Sequence, residues 1–457
     1  MSGKNYKWIL GGLIAINAFI FIYARQEAVG NSATVRGKVV EVIIDDFSGG
    51  ITDNSQEKNL NKASLIIGFN VKQNELAPLK AMEAATTSVS VTQIRKLEGC
   101  GGFIFGLGVN GGTSIPKVYY SDEEGIWTTM LGSNEGSSAT IDNDLFVCYK
   151  NYLYGGLTSG ALWRYGSVVG TPTFTNSWQT GCSPVGNGVW HSKDDNLYIP
   201  CSSGYIAVWD NQTYNSQALL TPSDKNMTTI AEYGHYLAIG LDDSQGDSLG
   251  EALVYLWDRN SSLTTITDSI KLGKESIRTI QQLDNSLIII SERPDPADPQ
   301  ITSATDRILI REYTNGILYT LFELESDINT TAVLGNIRKG TNELYFPLRI
   351  QRDGTLFEGI AKLSRIQKNG PLALSLVNQA NNNTPITSGV IQDVFVDGES
   401  VYVSYTANNV WNLVVTADTG DYTASSTYET INFGDNIHQN ILKSLGVMTE
   451  PLPVGGQ

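Results

Sequence analysis

Residues 196–210 read NLYIPCSSGYIAVWD. In NLYI leucine alternates with tyrosine and isoleucine after a turn residue, IAVW is a second run rich in large residues, and the polar stretch SSG lies between the two runs. Runs of four to six residues with a period of two are typical of short β-strands, and a glycine-containing turn between them is typical of a hairpin. This stretch therefore predicts two antiparallel strands.

The same unit recurs along most of the chain. Its first strand carries leucine or valine at positions 153, 197, 237, 287, 344 and 401, so that the spacings between successive copies are 44, 40, 50, 57 and 57. A second strand rich in large residues follows each of them, at 161–164, 206–209, 254–257, 308–311, 360–363 and 410–413. An earlier, less regular copy is formed by residues 117–120 and 126–127. The array thus has six clear copies and one less regular copy.

Repeats of this length, built from short alternating strands and polar turns, are typical of β-propeller blades. Helical solenoids are disfavoured, because their repeats need apolar residues at three and four spacing over ten or more positions. A strand pair cannot bury both faces alone, so each blade is expected to stack on its neighbours. We predict an all-β fold with a six- to eight-bladed propeller, seven blades being favoured. Trp209-Asp210 and Trp257-Asp258 match the WD dipeptide of WD40 proteins, but the other copies lack it.

Charge and cysteine content restrict the classes of function. The 31 Lys and Arg residues against 47 Asp and Glu residues give a formal net charge of -16, which opposes tight binding of a phosphate backbone. The four cysteines, Cys100, Cys148, Cys182 and Cys201, form no C-x-x-C pair, so a zinc ribbon and a dense disulfide framework are both disfavoured. A Cys182–Cys201 bridge and buried free thiols both remain open.

The N-terminal segment is strongly apolar. Residues 8–24 read WILGGLIAINAFIFIYA, with Lys4 and Lys7 before them and Arg25 after them. We predict a hydrophobic helix here, and three interpretations of it are open: a membrane anchor with the rest of the chain exported, a cleaved signal peptide, or an upstream extension absent from the mature protein. In the last case Val35 or Val40 would mark an alternative start.

An opening motif follows. Ile44-Asp45-Asp46-Phe47-Ser48-Gly49-Gly50-Ile51 precedes a polar stretch and then two apolar stretches, at 63–71 and 76–80. This order resembles the N-terminal signature of tailed-phage virion and tail proteins that carry a β-propeller. The matching residues are Phe47, Ser48, Gly49, Gly50, Ile51, Asn70, Val71, Leu76, Pro78 and Lys80. The resemblance implies a structural role for these residues and departs from the family at Lys80-Ala81, where a glycine usually follows the basic residue.

The C-terminal residues support the same resemblance. Tyr428-Glu-Thr-Ile-Asn-Phe-Gly-Asp435 leads to Lys443-Ser-Leu-Gly-Val447 and to Glu450-Pro-Leu-Pro-Val-Gly-Gly-Gln457. In similar phage proteins such sequence motifs precede a β-sandwich that follows the propeller. We therefore expect residues 427–457 to begin a sandwich, and the natural chain to continue beyond them.

Motifs for catalysis or metal binding are scarce. The chain has three histidines, His191, His235 and His438, and no G-x-S-x-G, H-E-x-x-H or Walker sequence. Asp242, Asp243 and Asp247 lack the spacing of a calcium loop, so a solvated acidic loop is expected. Carboxylates at strand-flanking turns, such as Asp194, Asp195, Asp284, Asp306 and Asp353, favour backbone capping over catalysis. We expect no enzymatic activity, no cofactor and no metal.

These observations predict four segments: a hydrophobic helix and linker at 1–39, the motif segment at 40–90, the propeller at 91–426 and the sandwich start at 427–457. The favoured function is a non-catalytic assembly scaffold in the tail or head–tail connector of a phage virion, with other virion proteins as partners and a homo-oligomeric ring as its form. The alternative is a membrane-anchored propeller at the bacterial inner membrane, with the propeller outside the cytoplasm as a binding module for ligands such as carbohydrate. The 8 Trp and 21 Tyr residues could form either blade core or a sugar-binding platform.

Overall fold

The structure is a computed structural model, and every secondary-structure element it describes is a β-strand. It describes residues 94–109, 115–121, 126–129, 141–243, 251–260, 268–293, 307–325, 342–352, 355–365, 371–379, 389–398, 400–407 and 410–416, and short strands at 17–24, 38–44, 50–52, 62–64, 69–72, 75–78, 82–84, 338–339 and 440–448. The chain forms two compact units. The larger comprises residues 82–358 and 384–416, and the smaller comprises residues 1–81, 359–383 and 417–457.

The two ends of the chain supply seven strands of the smaller unit. They are β1 (Asn17–Ala24), β2 (Lys38–Ile44), β3 (Gly50–Thr52), β4 (Lys62–Ser64), β5 (Phe69–Lys72), β6 (Glu75–Pro78) and β35 (Asn440–Met448). Strand β1 pairs antiparallel with both β2 and β35, β3 pairs parallel with β4, and β5 and β6 form an antiparallel hairpin.

Seven four-stranded sheets, the blades, follow. Blade 1 contains β8 (Lys96–Cys100), β9 (Phe103–Val109), β10 (Pro116–Ser121) and β11 (Trp127–Thr129). Blade 2 contains β12 (Ile141–Tyr149), β13 (Tyr152–Leu157), β14 (Ala161–Gly166) and β15 (Thr173–Thr180). Blade 3 contains β16 (Val189–His191), β17 (Asn196–Cys201), β18 (Tyr205–Trp209) and β19 (Tyr214–Leu220). Blades 4 and 5 contain β20 (Lys225–Tyr233), β21 (Tyr236–Asp243), β22 (Glu251–Trp257), β23 (Asp268–Lys274); and β24 (Ser276–Leu283), β25 (Ser286–Arg293), β26 (Arg307–Thr314), β27 (Ile317–Glu325). Blades 6 and 7 contain β28 (Arg338–Lys339), β29 (Glu343–Arg352), β30 (Thr355–Arg365), β31 (Leu372–Gln379); and β32 (Gly389–Asp397), β33 (Ser400–Ala407), β34 (Val410–Thr416), β7 (Met82–Ala84).

The prediction of an all-β propeller with seven blades is confirmed. In blades 2 to 7 the repeating unit in the sequence corresponds to the second and third strands, for example β17 and β18 in blade 3. The prediction for the earliest copy was offset by one strand, because residues 117–120 lie in the third strand of blade 1 and Trp127 begins the fourth. The second strand of that blade, β9, contains Gly106 and Gly108, which hide its alternation.

A strand from before the repeats completes the last blade. Strand β7 pairs with β34, with Val414 opposite Ala84 and Thr416 opposite Met82. The first strand of blade 1, β8, contacts the first strands of blades 2 and 7, and β20 contacts the first strands of blades 3 and 5. First strands therefore lie next to one another around the axis of the propeller, and the ring closes between blades 7 and 1.

Hydrophobic cores lie between neighbouring blades. One contains Phe105 and Val118 of blade 1 with Phe146, Leu153 and Trp163 of blade 2, all fully buried. Truncating an aromatic residue in such a core costs about 3–5 kcal/mol. Gly155 is required by this packing, because a Cβ there would lie 2.2 Å from the Trp163 ring.

Both disulfides lie in the larger unit. Cys182 pairs with Cys201, as one of the two alternatives for these residues predicted, and Cys100 pairs with Cys148, which the sequence did not indicate. The first bridge fastens the loop before blade 3 to its second strand, and the other joins β8 of blade 1 to β12 of blade 2. All four cysteines are thus paired.

The predicted N-terminal helix over Trp8–Ala24 is not confirmed. Residues 17–24 form strand β1, and residues 8–16 lie outside the described part of the chain. Short apolar runs rich in isoleucine and aromatic residues suit a strand as well as a helix, and periodicity alone does not separate them. Among the described residues no helix is long and apolar enough to cross a bilayer. The predicted sandwich start is also not confirmed: of residues 427–457 only β35 is described, and it joins a three-stranded sheet.

Candidate functional site

The tight turns between the first and second strands of blades 2 to 5 carry a polar network on one face of the propeller. We call this the turn face and define it as residues 149–151, 190–195, 232–236, 259 and 282–285. Lys150, Asn151, Asp195 and Asp284 have φ between 52° and 63°, and Gly234 has φ of 58°. Tight hairpin turns place residues at positive φ, which Asn, Asp and Gly adopt at the lowest cost. The Asn, Asp and Gly residues of the repeat therefore create these turns.

Asp195 connects blade 2 to blade 3. Its carboxylate forms an ion pair with Lys150 and accepts a hydrogen bond of 2.9 Å from Trp190 Nε1, while its backbone oxygen accepts one of 2.6 Å from the Tyr149 hydroxyl. The hydrogen bonds from Lys150 and Trp190 lower the pKa of Asp195. This carboxylate therefore stays ionised at neutral pH and is not a proton donor.

Asp194 and His191 connect blade 3 to blade 4. Asp194 Oδ2 lies 2.5 Å from Arg259 Nη1 and accepts a hydrogen bond of 2.6 Å from Tyr198. His191 is fully buried, its Nε2 donates to the Tyr236 carbonyl at 3.1 Å, and its Nδ1 accepts from the backbone of the following turn. Burial is the main cause of the lowered pKa of His191, and Arg259 adds to it. A neutral imidazole with both nitrogens engaged positions blades and is not free to act as a base.

Two further contacts extend the network to blade 5. Ser192 Oγ donates to Glu232 Oε1, and the Gly234 backbone N–H donates to Gln282 Oε1 at 2.9 Å. Blades 2, 3, 4 and 5 are thus joined in succession at the turn face. Trp190 remains 50% exposed beside Lys150 and Asp195. An exposed indole next to charges of both signs suits contact with a partner rather than bond-breaking chemistry.

The other acidic candidates have structural roles where the structure describes them. Asp242 accepts hydrogen bonds from Ser276 Oγ at 2.6 Å and from the Ile277 backbone at 2.9 Å, and burial raises its pKa. It joins blade 4 to blade 5. Asp247, Asp306 and Asp353 lie outside the described residues. Within the described part of the chain, no group of three or more His, Cys, Asp or Glu side chains is placed to hold a metal ion.

The two WD dipeptides are explained by turn capping. Asp210 Oδ1 accepts hydrogen bonds from the backbones of Gln212 and Thr213, and Asp258 Oδ1 accepts one of 3.0 Å from Asn260. Each carboxylate thus closes the turn after the third strand of its blade.

Those residues of the opening motif that the structure describes lie in three short strands of the smaller unit. Gly50 and Ile51 begin β3, Asn70 and Val71 lie in β5, and Leu76 and Pro78 lie in β6. The hairpin brings Val71 opposite Leu76 and places Asn70 opposite Ala77. Phe47, Ser48, Gly49 and Lys80 lie outside the described residues.

The sequence indicated Asp194 and Asp195 as turn-capping carboxylates. It did not indicate the roles of His191, Trp190, Arg259 and Gln282. The charged and polar partners of the turn residues come from other blades, as Arg259 does for Asp194 and Glu232 for Ser192. No local spacing signals such a contact. A signal that could have been used is the equivalence of the turns, because residues at matching blade positions must lie side by side around a ring.

Comparisons with known proteins found no matching family model and no matching curated protein. Among solved structures, the chain is similar to the WD40 domain of coronin from Toxoplasma gondii, with 11% identity and a TM-score of 0.47, over 78% of this chain and 91% of that chain. It is similar to Raptor from Chaetomium thermophilum, with 10% identity and a TM-score of 0.46, over 74% of this chain and 29% of that chain. It is also similar to the computationally designed Ika8 protein, with 14% identity and a TM-score of 0.40, over 72% of this chain and 99% of that chain. Similarities at this level carry no information about function.

Proposed function

We propose that this protein is a non-catalytic structural component of a tailed-phage virion, in the tail or head–tail connector region. Its propeller would serve as a rigid body in an assembly of virion proteins. The proposal rests on the family resemblance of the two ends of the sequence and on where those ends lie.

The observation that carries the proposal is the grouping of the resembling segments. Gly50 and Ile51 in β3, the hairpin of β5 and β6, and residues 443–447 in β35 all belong to the smaller compact unit. Strand β35 pairs with β1 near the other end of the chain, with Leu445 opposite Ile20. Segments from opposite ends of the chain therefore contribute to one compact unit, which also includes residues 359–383 of blade 6. This grouping supports a common role for the two ends of the sequence.

Quantitative mass spectrometry of purified particles tests the proposal. We expect peptides of this protein at a fixed stoichiometry to the major tail or portal protein, unchanged when particles are purified by a second, independent method. The matched control is an abundant host protein of similar acidity, which should be depleted at each step. Depletion of both proteins in parallel would contradict a virion role.

The disulfides favour one alternative function, a membrane-anchored binding module outside the cytoplasm. Disulfides persist in oxidising compartments and are rare in the reducing cytosol, and here all four cysteines are paired. Sequencing of the mature N-terminus and fractionation of expressing cells separate the two functions. A mature chain that retains residues 8–24 and pellets with the inner membrane would support this alternative, whereas a start beyond Arg25 in a soluble fraction would remove it.

A further inference from the structure

Arg164 lies between two aromatic rings on the side of blade 2 that packs against blade 3. It is in strand β14, directly opposite Tyr154 of β13. Its guanidinium carbon is 5.2 Å from the centroid of the Tyr152 ring and 5.6 Å from that of Trp178. Planar guanidinium groups stack on aromatic faces in this way, which fixes the plane of the group.

The charge of Arg164 is not compensated by a carboxylate. Its Nε is buried and has no hydrogen-bond partner, and no acidic side chain pairs with it in the described part of the chain. It interacts with Tyr154, a neutral phenol whose pKa is raised mainly by burial. Arg259, Arg278 and Arg311, by contrast, each pair with a carboxylate. An unpaired, half-buried cation is costly, and it is unexpected in a chain with 47 acidic residues.

Half-exposed aromatic rings surround this cation. Trp178 packs edge-on against Trp209, with centroids 4.8 Å apart, and lies 5.1 Å from Tyr154 and 6.0 Å from Tyr214. Tyr152, Arg164, Trp178 and Tyr214 are all partly exposed, so the cluster reaches solvent. The Tyr214 hydroxyl is buried without a hydrogen-bond partner, and burial raises its pKa to about 12, so it remains a donor at neutral pH.

We propose that Tyr152, Arg164, Trp178 and Tyr214 form a binding site for an acidic saccharide of the hexuronic acid class. The guanidinium fork matches a carboxylate in a bidentate arrangement. The partly exposed rings offer apolar faces to the C–H groups of a sugar, and the Tyr214 hydroxyl supplies a neutral donor. This site shares no residue with the turn face and does not depend on the proposed virion role.

Tryptophan fluorescence of the full-length protein, titrated with D-glucuronate, tests the site, because Trp178 is part of it. We expect a saturable change with glucuronate, a much smaller response to glucose, which lacks the carboxylate, and weaker binding of inorganic sulfate, which lacks the sugar. Arg164→Gln should weaken glucuronate binding by about tenfold or more, as expected for loss of a bidentate charge-assisted contact. Arg293→Gln is the matched control, because it removes an arginine paired with Glu323 in blade 5, and it should leave the titration unchanged.

Arg164→Lys keeps the test decisive if the glutamine variant does not fold. It preserves the charge and loses the planar fork, so glucuronate should bind more weakly than to the natural protein. An absence of saturable binding by glucuronate, or equal affinity in Arg164→Lys and the natural protein, would overturn the site. Sulfate binding as tightly as glucuronate would overturn the assignment to a saccharide, and glucose binding equally well would overturn the role of Arg164.

Discussion

Removing one partner of the buried ion pair in blade 5 should destabilise the propeller more than any comparable change at its surface. Arg311 of β26 binds Glu275 through both terminal nitrogens, with Nη2 2.5 Å from Oε1, and Ser291 Oγ donates to Glu275 Oε2 at 2.8 Å. The side chains of Arg311 and Glu275 are only 9% and 2% exposed. Glu275→Gln leaves the Arg311 charge buried and unpaired, which costs about 3–5 kcal/mol.

The exposed pair of Lys150 and Asp195 provides the matched control. Its side chains are 42% and 51% exposed, so Lys150→Met should cost less than about 1 kcal/mol. Urea unfolding followed by tryptophan fluorescence gives the free energy of unfolding for Glu275→Gln, Arg311→Met, Lys150→Met and the double variant Glu275→Gln/Arg311→Met. We expect the loss in free energy of unfolding in the double variant to be smaller than the sum of the losses in the two single variants. The reason is that the double variant leaves no unpaired charge in the core. Equal costs for Glu275→Gln and Lys150→Met, or strictly additive costs in the double variant, would refute the reasoning.

Three further outcomes are expected. Replacing Cys100 and Cys148 together by Ser should lower the free energy of unfolding by about 3–4 kcal/mol, because the bridge closes a separation of 48 residues. Non-reducing peptide mapping should find both disulfides, and a free thiol in the natural protein would contradict them. Asp393→Ala should lower the free energy of unfolding by about 1–3 kcal/mol, because the buried Leu97 backbone N–H loses its acceptor at 2.8 Å. Hydrogen exchange should become faster in β8 and β32, and equally fast exchange in all blades would count against a local role in ring closure. The pKa of His191 is below the ordinary 6.5 of the unfolded chain, so the unfolded state takes up more protons as the pH falls below 6.5, and the free energy of unfolding should decline there. His191→Gln should flatten that decline in unfolding curves between pH 7 and 5, and an unchanged slope would contradict the prediction.

The sequence was sufficient to predict the propeller because its second and third strands are the most regular elements. Leu197, Tyr198 and Ile199 form a short apolar run that is buried on both faces, and the turn beside them needs residues that tolerate positive φ. The closing strand β7 was not predictable in this way. It is very short, no repeat precedes it, and its partner β34 lies at the far end of the propeller sequence. The helix predicted for the N-terminal apolar run is not confirmed for another reason, because the composition of that run suits a membrane helix and a strand equally.

The candidate site was predicted only as far as its local chemistry extends. Asp194 and Asp195 were expected to cap turns, and they do lie in a turn, but their charged partners come from neighbouring blades. The aromatic environment of Arg164 was even less visible, since Tyr152 and Trp178 lie on the strands to either side of it, in opposite directions along the chain. Contacts across a sheet depend on register, and a register shift between Leu162 and Arg164 in β14 carries Trp178 to its place. A β-bulge of this kind leaves no reliable mark in a single sequence.

Neighbouring blades are joined by bonds that place little demand on sequence, which explains how dissimilar repeats share one ring. The backbone N–H of Leu97 donates to Asp393, that of Ile277 to Asp242 and that of Phe146 to Asn187. Because every residue except proline has this donor, these hydrogen bonds do not depend on the side chain at the donor position, and only one polar acceptor on the adjoining blade must be kept. Each such acceptor is a short side chain whose loss leaves a backbone donor unsatisfied at one blade boundary. Since each repeat contacts only its neighbours, the damage from any one substitution should be confined to that boundary.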